Sequence, residues 1–221
     1  MSIAQKKRTA RIRLNRSSNG MLMTPEEFDA VTDHDDRFDY ELVHGVLVVV
    51  PPPGEAERDP NGELEYLLRL YRASHPRGSI LDKTLSEQFI HLADSRRRAD
   101  RVIWVGLGRV PDIHKDVPAI VVEFVSNRKR DRVRDYEEKR REYLAIGVSE
   151  YWIIDRFKRT LTVVRNAPGQ PSEIVVQAEE TYQSPLLPGF DLPLKQLLKL
   201  ADDWAAANQK RKRDKNREQP N

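Results

Sequence analysis

An α/β domain, a mixed sheet flanked by helices, is the architecture this chain predicts, and three observations carry it. Apolar runs of strand length recur from "FDYELV" to "EIVVQ", and segments with apolar residues at helical spacing are interleaved with them. Polar, Gly- or Pro-containing connections separate the two kinds of segment, and the central order of helix, strands, helix and strand is that of a mixed sheet with helices on it. With 221 residues the chain is long enough to bury one substantial core, expected over residues 21–207 as a single domain.

The elements follow in order. In "TPEEFDAV" Thr24 can cap, Pro25 suits the first helical position and Glu27 completes a capping box, so a short helix starts there. "FDYELVHGVLVVVPPP" reads as a hairpin turning at His44-Gly45 and closed by the triple proline. From Asp59-Pro60 onward Leu64, Leu67, Leu68 and Tyr71 recur at helical spacing, which predicts a helix ending before "HPRG". Three strand candidates come next: Ile80 to Asp82 running into "LSEQFIHLA", then "ADRVIWVG", then "AIVVEFVS". "RDRVRDYEEKRREYLAIG" predicts a helix with Val133, Tyr136, Tyr143 and Leu144 on one face and Gly147 as its stop. "EYWIID", "TLTVVR" and "EIVVQ" are strands, and a last amphipathic helix is expected from about Leu194 to Ala206.

Composition excludes several chemistries. The absence of cysteine rules out disulfides, thiol catalysis and thiolate metal sites and fits a reducing, cytoplasmic location. The longest aliphatic run, Val46 to Val50, is far short of the ~18 residues of a membrane helix. Charge is uneven: residues 1–20 carry +6 and residues 208–221 carry +4, which leaves −7 for residues 21–207 of a chain whose total is +3. Both basic tails, 1–20 and 208–221, are poor in apolar residues and expected to be disordered; such tails serve solubility or hold phosphates without regard to sequence. The five histidines have no metal-ligand spacing, "GLGR" lacks the third glycine of a dinucleotide loop, and no serine-hydrolase elbow is present.

The informative stretch is "PAIVVEFVSN", residues 118–127, where Glu123 interrupts the most hydrophobic strand. An ionised carboxylate buried without a partner is very costly, so a cationic side chain or a metal must lie beside it. Asp100 opens the apolar run of the preceding strand and would neighbour Glu123 if the two strands pair. Two carboxylates on adjacent strands are the hard, sparse oxygen set that Mg²⁺ takes, with room left for water and phosphate oxygens. Lys139 sits three residues after Tyr136 and four before Tyr143, on or beside the inward stripe of the helix that follows. It either snorkels out or points at the carboxylates, where its ammonium could orient an attacking water and offset charge on a phosphodiester.

The segments "YELVHGVLVV…PPP", "ADRVIWVG", "IVVEFVS", "DYEEKRREYLAIGVSEYWIID" and "SPLLPGFDLPL" together resemble the Uma-two family of restriction-endonuclease-like proteins, a branch of the PD-(D/E)xK nuclease superfamily. The resemblance covers about residues 23–200 and implies a restriction-endonuclease-like core that hydrolyses DNA, with Asp100 and Glu123 binding Mg²⁺, or Mn²⁺ in its place. The superfamily's lysine falls two residues after the glutamate; here that position is Val125, so the resemblance passes the role to Lys139. Glu41 in "YELVHG" matches a further family acid, expected near the site. Ala99 stands where a proline is usual, and "GEAERDP" lacks a histidine often found after the proline run. Relatives in the superfamily often act as homodimers.

Two basic clusters flank the carboxylates: Arg96, Arg97 and Arg98 before Asp100, and Arg128, Lys129 and Arg130 after Glu123. Their clustering fits contacts to a nucleic-acid backbone, with a solvated face as the plainer alternative. The function expected is therefore a Mg²⁺-dependent endonuclease-like hydrolase, the alternative being a catalytically silent nuclease-fold module that binds nucleic acid or a protein. A glycosidase pair of acid and nucleophile is weaker, since it leaves Lys139 without a task.

Overall fold

The computed structural model describes residues 12–126, 133–167 and 169–218. The described residues fall into two compact units: those through Pro52 with His91–Arg97, and Pro53–Ile90 with Arg98 onward. Each has a core of its own.

In the first unit two short strands, β1 (Arg13–Leu14) and β2 (Asp33–His34), pair in parallel, so part of the expected N-terminal tail is ordered; residues 1–11 lie outside the described residues. Helix α1 (Pro25–Asp29) has the predicted capping box: Glu27 N donates to Thr24 Oγ1 at 3.2 Å and Thr24 N donates to Glu27 Oε2 at 2.9 Å. The hairpin is formed by β3 (Asp39–Val43) and β4 (Val46–Val50), with His44 at φ 49° and Gly45 at φ 75°. Two consecutive positive φ angles define the turn whose twist matches that of paired strands, which is why His-Gly closes it. Leu14, Met23, Tyr40, Leu42 and Leu47 are buried beneath the hairpin.

The second unit opens with helix α2 (Glu55–Ser74), which starts earlier than Asp59. Gly54 begins the helix, its N–H donating to Glu57 Oε2 at 2.8 Å. Pro60 therefore lies inside, forfeiting one backbone bond that the burial of Leu64, Leu68 and Tyr71 offsets at roughly 1.5–3 kcal/mol per large side chain. After strand β5 (Leu81–His91) comes β6 (Arg96–Val105), which begins in the first unit and continues in the second. In the second unit β6 pairs antiparallel with β7 (Ile120–Phe124), which pairs parallel with β8 (Glu150–Asp155); β9 (Thr160–Arg165) and β10 (Ser172–Gln177) follow antiparallel. The sheet is mixed, as predicted. Two short strands, β11 (Tyr182–Gln183) and β12 (Asp191–Leu192), pair separately.

Strand alternation sorts the residues of β7. Ile120, Val122 and Phe124 join a core with Leu64 and Leu68 of α2 and Leu197 and Leu198 of the last helix, α4 (Leu194–Glu218). Val121 and Glu123 face the other way, toward the connection between β7 and β8. That connection contains a π-helical turn, Arg134–Glu138, and helix α3 (Lys139–Ala145), ended by Gly147 at φ 95°. Tyr143 is fully buried as expected, but Val133 is exposed, because the π-turn shifts the helical phase between them. Helix α4 runs on to Glu218, so much of the segment expected to be a disordered C-terminal tail is helical. No described helix is long and apolar enough to cross a membrane.

Candidate active site

Strands β6 and β7 bring the two predicted acids together. They pair from Ile103↔Ile120 to Arg101↔Val122, so Asp100 and Glu123 are the next residues of the two strands. Asp100 Oδ2 accepts the Phe124 N–H at 2.6 Å, which ties the carboxyl of one strand to the backbone of the other. The Asp100 backbone carbonyl accepts Asn61 Nδ2 at 2.8 Å, anchoring this end of β6 to α2.

Helix α3 supplies the cation. Lys139 is buried and does not snorkel: Nζ donates to Glu123 Oε1 and to the Arg98 carbonyl, both at 2.8 Å. Tyr143, one turn along the same helix, donates its hydroxyl to Glu123 Oε1 at 3.2 Å and packs edge-on against Tyr151. Val125, where the superfamily pattern would carry the lysine, is buried.

Two contributors were missed from sequence. Asp135, not singled out by the sequence, is buried, with its carboxyl 4.0 Å from Lys139 Nζ and 3.3 Å from Arg134 Nε. Its backbone carbonyl accepts the Tyr151 hydroxyl at 2.9 Å. The available signal was its spacing, four residues before Lys139 on a helical segment. Tyr143 reads as core, and its bond to Glu123 could not be foreseen.

Electrostatics distinguish these acids from ordinary buried ones. Burial pushes the Asp100 carboxyl up to about 7, Lys139 pulling it back and Glu87 adding to the rise. Burial also raises Glu123 well above the usual carboxylate range, against the pull of Lys139, while Asp100 and Asp135 push it further up. Glu150 of β8 offers the contrast. It is equally buried, but its oxygens take donors on both sides: Arg165 Nε at 3.0 Å and Tyr182 Oη at 2.9 Å on Oε1, Trp152 Nε1 at 2.9 Å and Ser184 Oγ at 2.8 Å on Oε2. Glu123 has donors on Oε1 and Asp100 on Oδ2; among the described residues nothing donates to Glu123 Oε2 or Asp100 Oδ1. One acid is a finished structural network, and the other two keep open acceptors.

That donor set fits a hard divalent ion such as Mg²⁺: two carboxyl oxygens without donors, on neighbouring strands, in a region where burial leaves negative charge undercompensated. Among the described residues no group of three or more His, Cys, Asp or Glu could hold a metal ion, so an ion here would have two carboxylates from the chain and complete its shell with water or phosphate oxygens.

The remaining predicted residues fall elsewhere. Glu41 belongs to the first unit, where it is buried with Arg97 Nη1 at 3.5 Å from Oε2. Arg96 is there too, its guanidinium held by Asp29 at 2.8 Å and by the carbonyls of Leu92 and Ser95 at 2.8 and 2.9 Å. Arg98 is half-buried with Nε 3.0 Å from Glu87 Oε2. The three arginines are therefore engaged with acids of the protein itself, and Arg97, only 1% exposed, has no face to offer a phosphate. The reason is that "SRRRAD" is the start of a strand instead of a loop, so its cations alternate into packed surroundings. Arg128, Lys129 and Arg130 lie outside the described residues.

Comparison with known proteins supplies independent findings. The model of the Uma2 family, described as "Putative restriction endonuclease", matches residues 25–195. Among solved structures the chain is similar to a protein of Anabaena variabilis ATCC 29413 described as "a putative nuclease belonging to DUF820", with a TM-score of 0.62 and 16% sequence identity over 81% of this chain and 99% of that one. At that identity the likeness concerns the fold. No curated protein matches the sequence.

Proposed function

Since the chain belongs to the Uma2 family, we propose that it is a Mg²⁺-dependent endonuclease-like hydrolase of DNA phosphodiester bonds. The observation that carries this reading is the meeting of Asp100, Glu123 and Lys139, with Lys139 Nζ 2.8 Å from Glu123 and Asp100 tied to the backbone amide next to Glu123.

Asp100 and Glu123 would hold the ion. Mg²⁺, when bound, supplies Lewis-acid polarisation of the phosphodiester. The chain's own residues do the rest. The Phe124 amide orients Asp100, and Tyr143 together with Lys139 holds Glu123 by its other oxygen, so both acceptors are fixed before substrate arrives. Lys139, held in turn by the Arg98 carbonyl, places a positive charge that offsets the charge gathering on phosphate oxygens and orients the attacking water. Glu123 and Lys139 are both buried, which strengthens the interaction between them. Glu41 is assigned an assisting role on the family resemblance alone.

The test is nicking of supercoiled plasmid by purified protein. Activity is expected with Mg²⁺ or Mn²⁺, lost in chelator, and lost in Glu123→Gln with the fold intact. A pure preparation that cleaves neither double- nor single-stranded DNA with either ion refutes the reading.

A second reading draws on the same ion pair. Lys139 and Glu123 are only 2% exposed and bonded at 2.8 Å, which also describes a catalytically silent nuclease-fold module stabilised by a buried salt bridge. Calorimetric titration with Mg²⁺ and Mn²⁺ separates the two: a silent module takes up no ion, whereas the nuclease binds one and loses it in Asp100→Asn.

A further inference from the structure

Helix α4 is anchored as far as Asn208, and the described side chains beyond it are exposed. Leu194, Leu197, Leu198 and Ala201 are buried, Trp204 Nε1 donates to Asp59 at 2.7 Å, and Asn208 Nδ2 reaches Glu55 at 3.5 Å. Beyond that point residues 209–215 are all exposed, although the helix continues to Glu218. The ten residues past Asn208 extend roughly 15 Å at the rise of an α-helix.

The charge on this arm is not neutralised. On the anchored half Lys195 pairs with Glu179 and Lys199 with Asp203, both at 2.6 Å, and Arg159 reaches across from the β8–β9 turn to Asp202. On the arm, Lys210, Lys212, Arg213 and Lys215 have no carboxylate within ion-pair distance among the described residues, and Arg211 bonds only to Asn208, at 3.5 Å. Lys210 and Arg213, and Arg211 and Lys215, are like charges at helical neighbour spacing, which costs a few tenths of a kcal/mol each in water. Asp214 offsets only part of this charge, and an arm that is polar all round has no packing partner among the described residues. Its residues 208–218 include no apolar side chain, so it also lacks the face that an interfacial membrane helix must bury. What suits it is a rigid, densely charged polyanion.

We propose that the cationic arm, carried chiefly by Lys210, Arg211, Lys212, Arg213 and Lys215, docks on the phosphate backbone of duplex DNA without regard to sequence. The choice of DNA rests on the nuclease reading above; the electrostatic argument stands apart from it. Residues 21–207 carry −7 and repel a phosphate backbone, so a helix-mounted block of exposed cations is what makes approach favourable. Duplex DNA presents about one negative charge per 1.7 Å of axis, so an arm of roughly 15 Å can meet several phosphates.

The experiment measures binding of a short labelled duplex by fluorescence anisotropy across a salt series, in chelator and on a Glu123→Gln background, so that cleavage cannot intervene. The variant replaces the five named side chains by Gln, which keeps helix propensity. A chain ending at Asn208 serves as a second variant, and Lys195→Gln with Lys199→Gln as the control. If each cation neutralises one phosphate, the slope of log K against log salt falls by roughly four to five in both arm variants, with at least tenfold weaker binding at low salt. The control keeps the parent slope. Equal slopes and affinities in parent and arm variants overturn the proposal, as does equal or tighter arm-dependent binding to RNA or to phosphatidylserine vesicles. Failure of the nuclease reading would show instead as absent plasmid nicking with these slopes unchanged.

Discussion

Asp100→Asn should stabilise the protein, and the gain should depend on pH in one direction. Burial moves the Asp100 carboxyl from an ordinary value of 3.8 to about 7, roughly three pH units. At about 1.4 kcal/mol per unit, the metal-free fold loses up to about 4 kcal/mol by ionising this group. The sign follows from proton counts: between the two values the unfolded chain has released the proton and the folded one keeps it, so stability falls as pH rises through that window. Below about pH 4 both states are protonated and the penalty is absent; above about pH 7 it is complete. The amide retains an oxygen for the Phe124 N–H, so the substitution removes charge and little else. Urea denaturation of wild type and variant in chelator, across this range, should give a stability difference near zero in acid that grows to a few kcal/mol at neutrality. Added Mg²⁺ should shrink that difference by stabilising wild type alone. A difference that does not vary with pH would refute the assignment of Asp100 as a desolvated acid held ready for a cation.

Other consequences can be checked in parallel. Lys139→Met leaves Glu123 buried without its cation and should cost about 3–5 kcal/mol by denaturant titration, most of it recovered in the double variant with Glu123→Gln. Asp135→Asn, at 4.0 Å from Lys139, should lower stability by about 1–3 kcal/mol and reduce plasmid nicking through turnover more than through substrate affinity. Gly78→Ala would place a methyl carbon 2.3 Å from the Tyr71 carbonyl oxygen, a backbone atom that cannot yield, so thermal unfolding should come several degrees lower, by about 2–3 kcal/mol. Gly45→Ala, at φ 75° in the β3–β4 turn, should cost about 1 kcal/mol and leave nicking unchanged.

The sequence by itself determined the features that depend on near neighbours. The capping box at Thr24, the His44-Gly45 turn and the alternation that buries Ile120, Val122 and Phe124 on one side follow from contacts a few residues apart. Glu123 was legible as an acid in need of a partner for the same reason: a carboxylate inside an apolar strand must be paired wherever the strand goes. What only the tertiary structure decided is who that partner is and who is spoken for. The 16-residue separation between Glu123 and Lys139 closes to 2.8 Å because β7 and α3 belong to one parallel crossover, and the π-turn within it turns Asp135 and Lys139 inward together. The arginine run before Asp100 looked like a phosphate clamp but spends its charge on Asp29, Glu41 and Glu87, acids lying 11 to 67 residues away. Lys210, Lys212, Arg213 and Lys215 looked equally generic, yet among the described residues no carboxylate pairs with them. Ion pairs form at distances of a few ångströms whatever the separation along the chain, so composition reports how much charge there is, and only the fold reports which charges remain free to act.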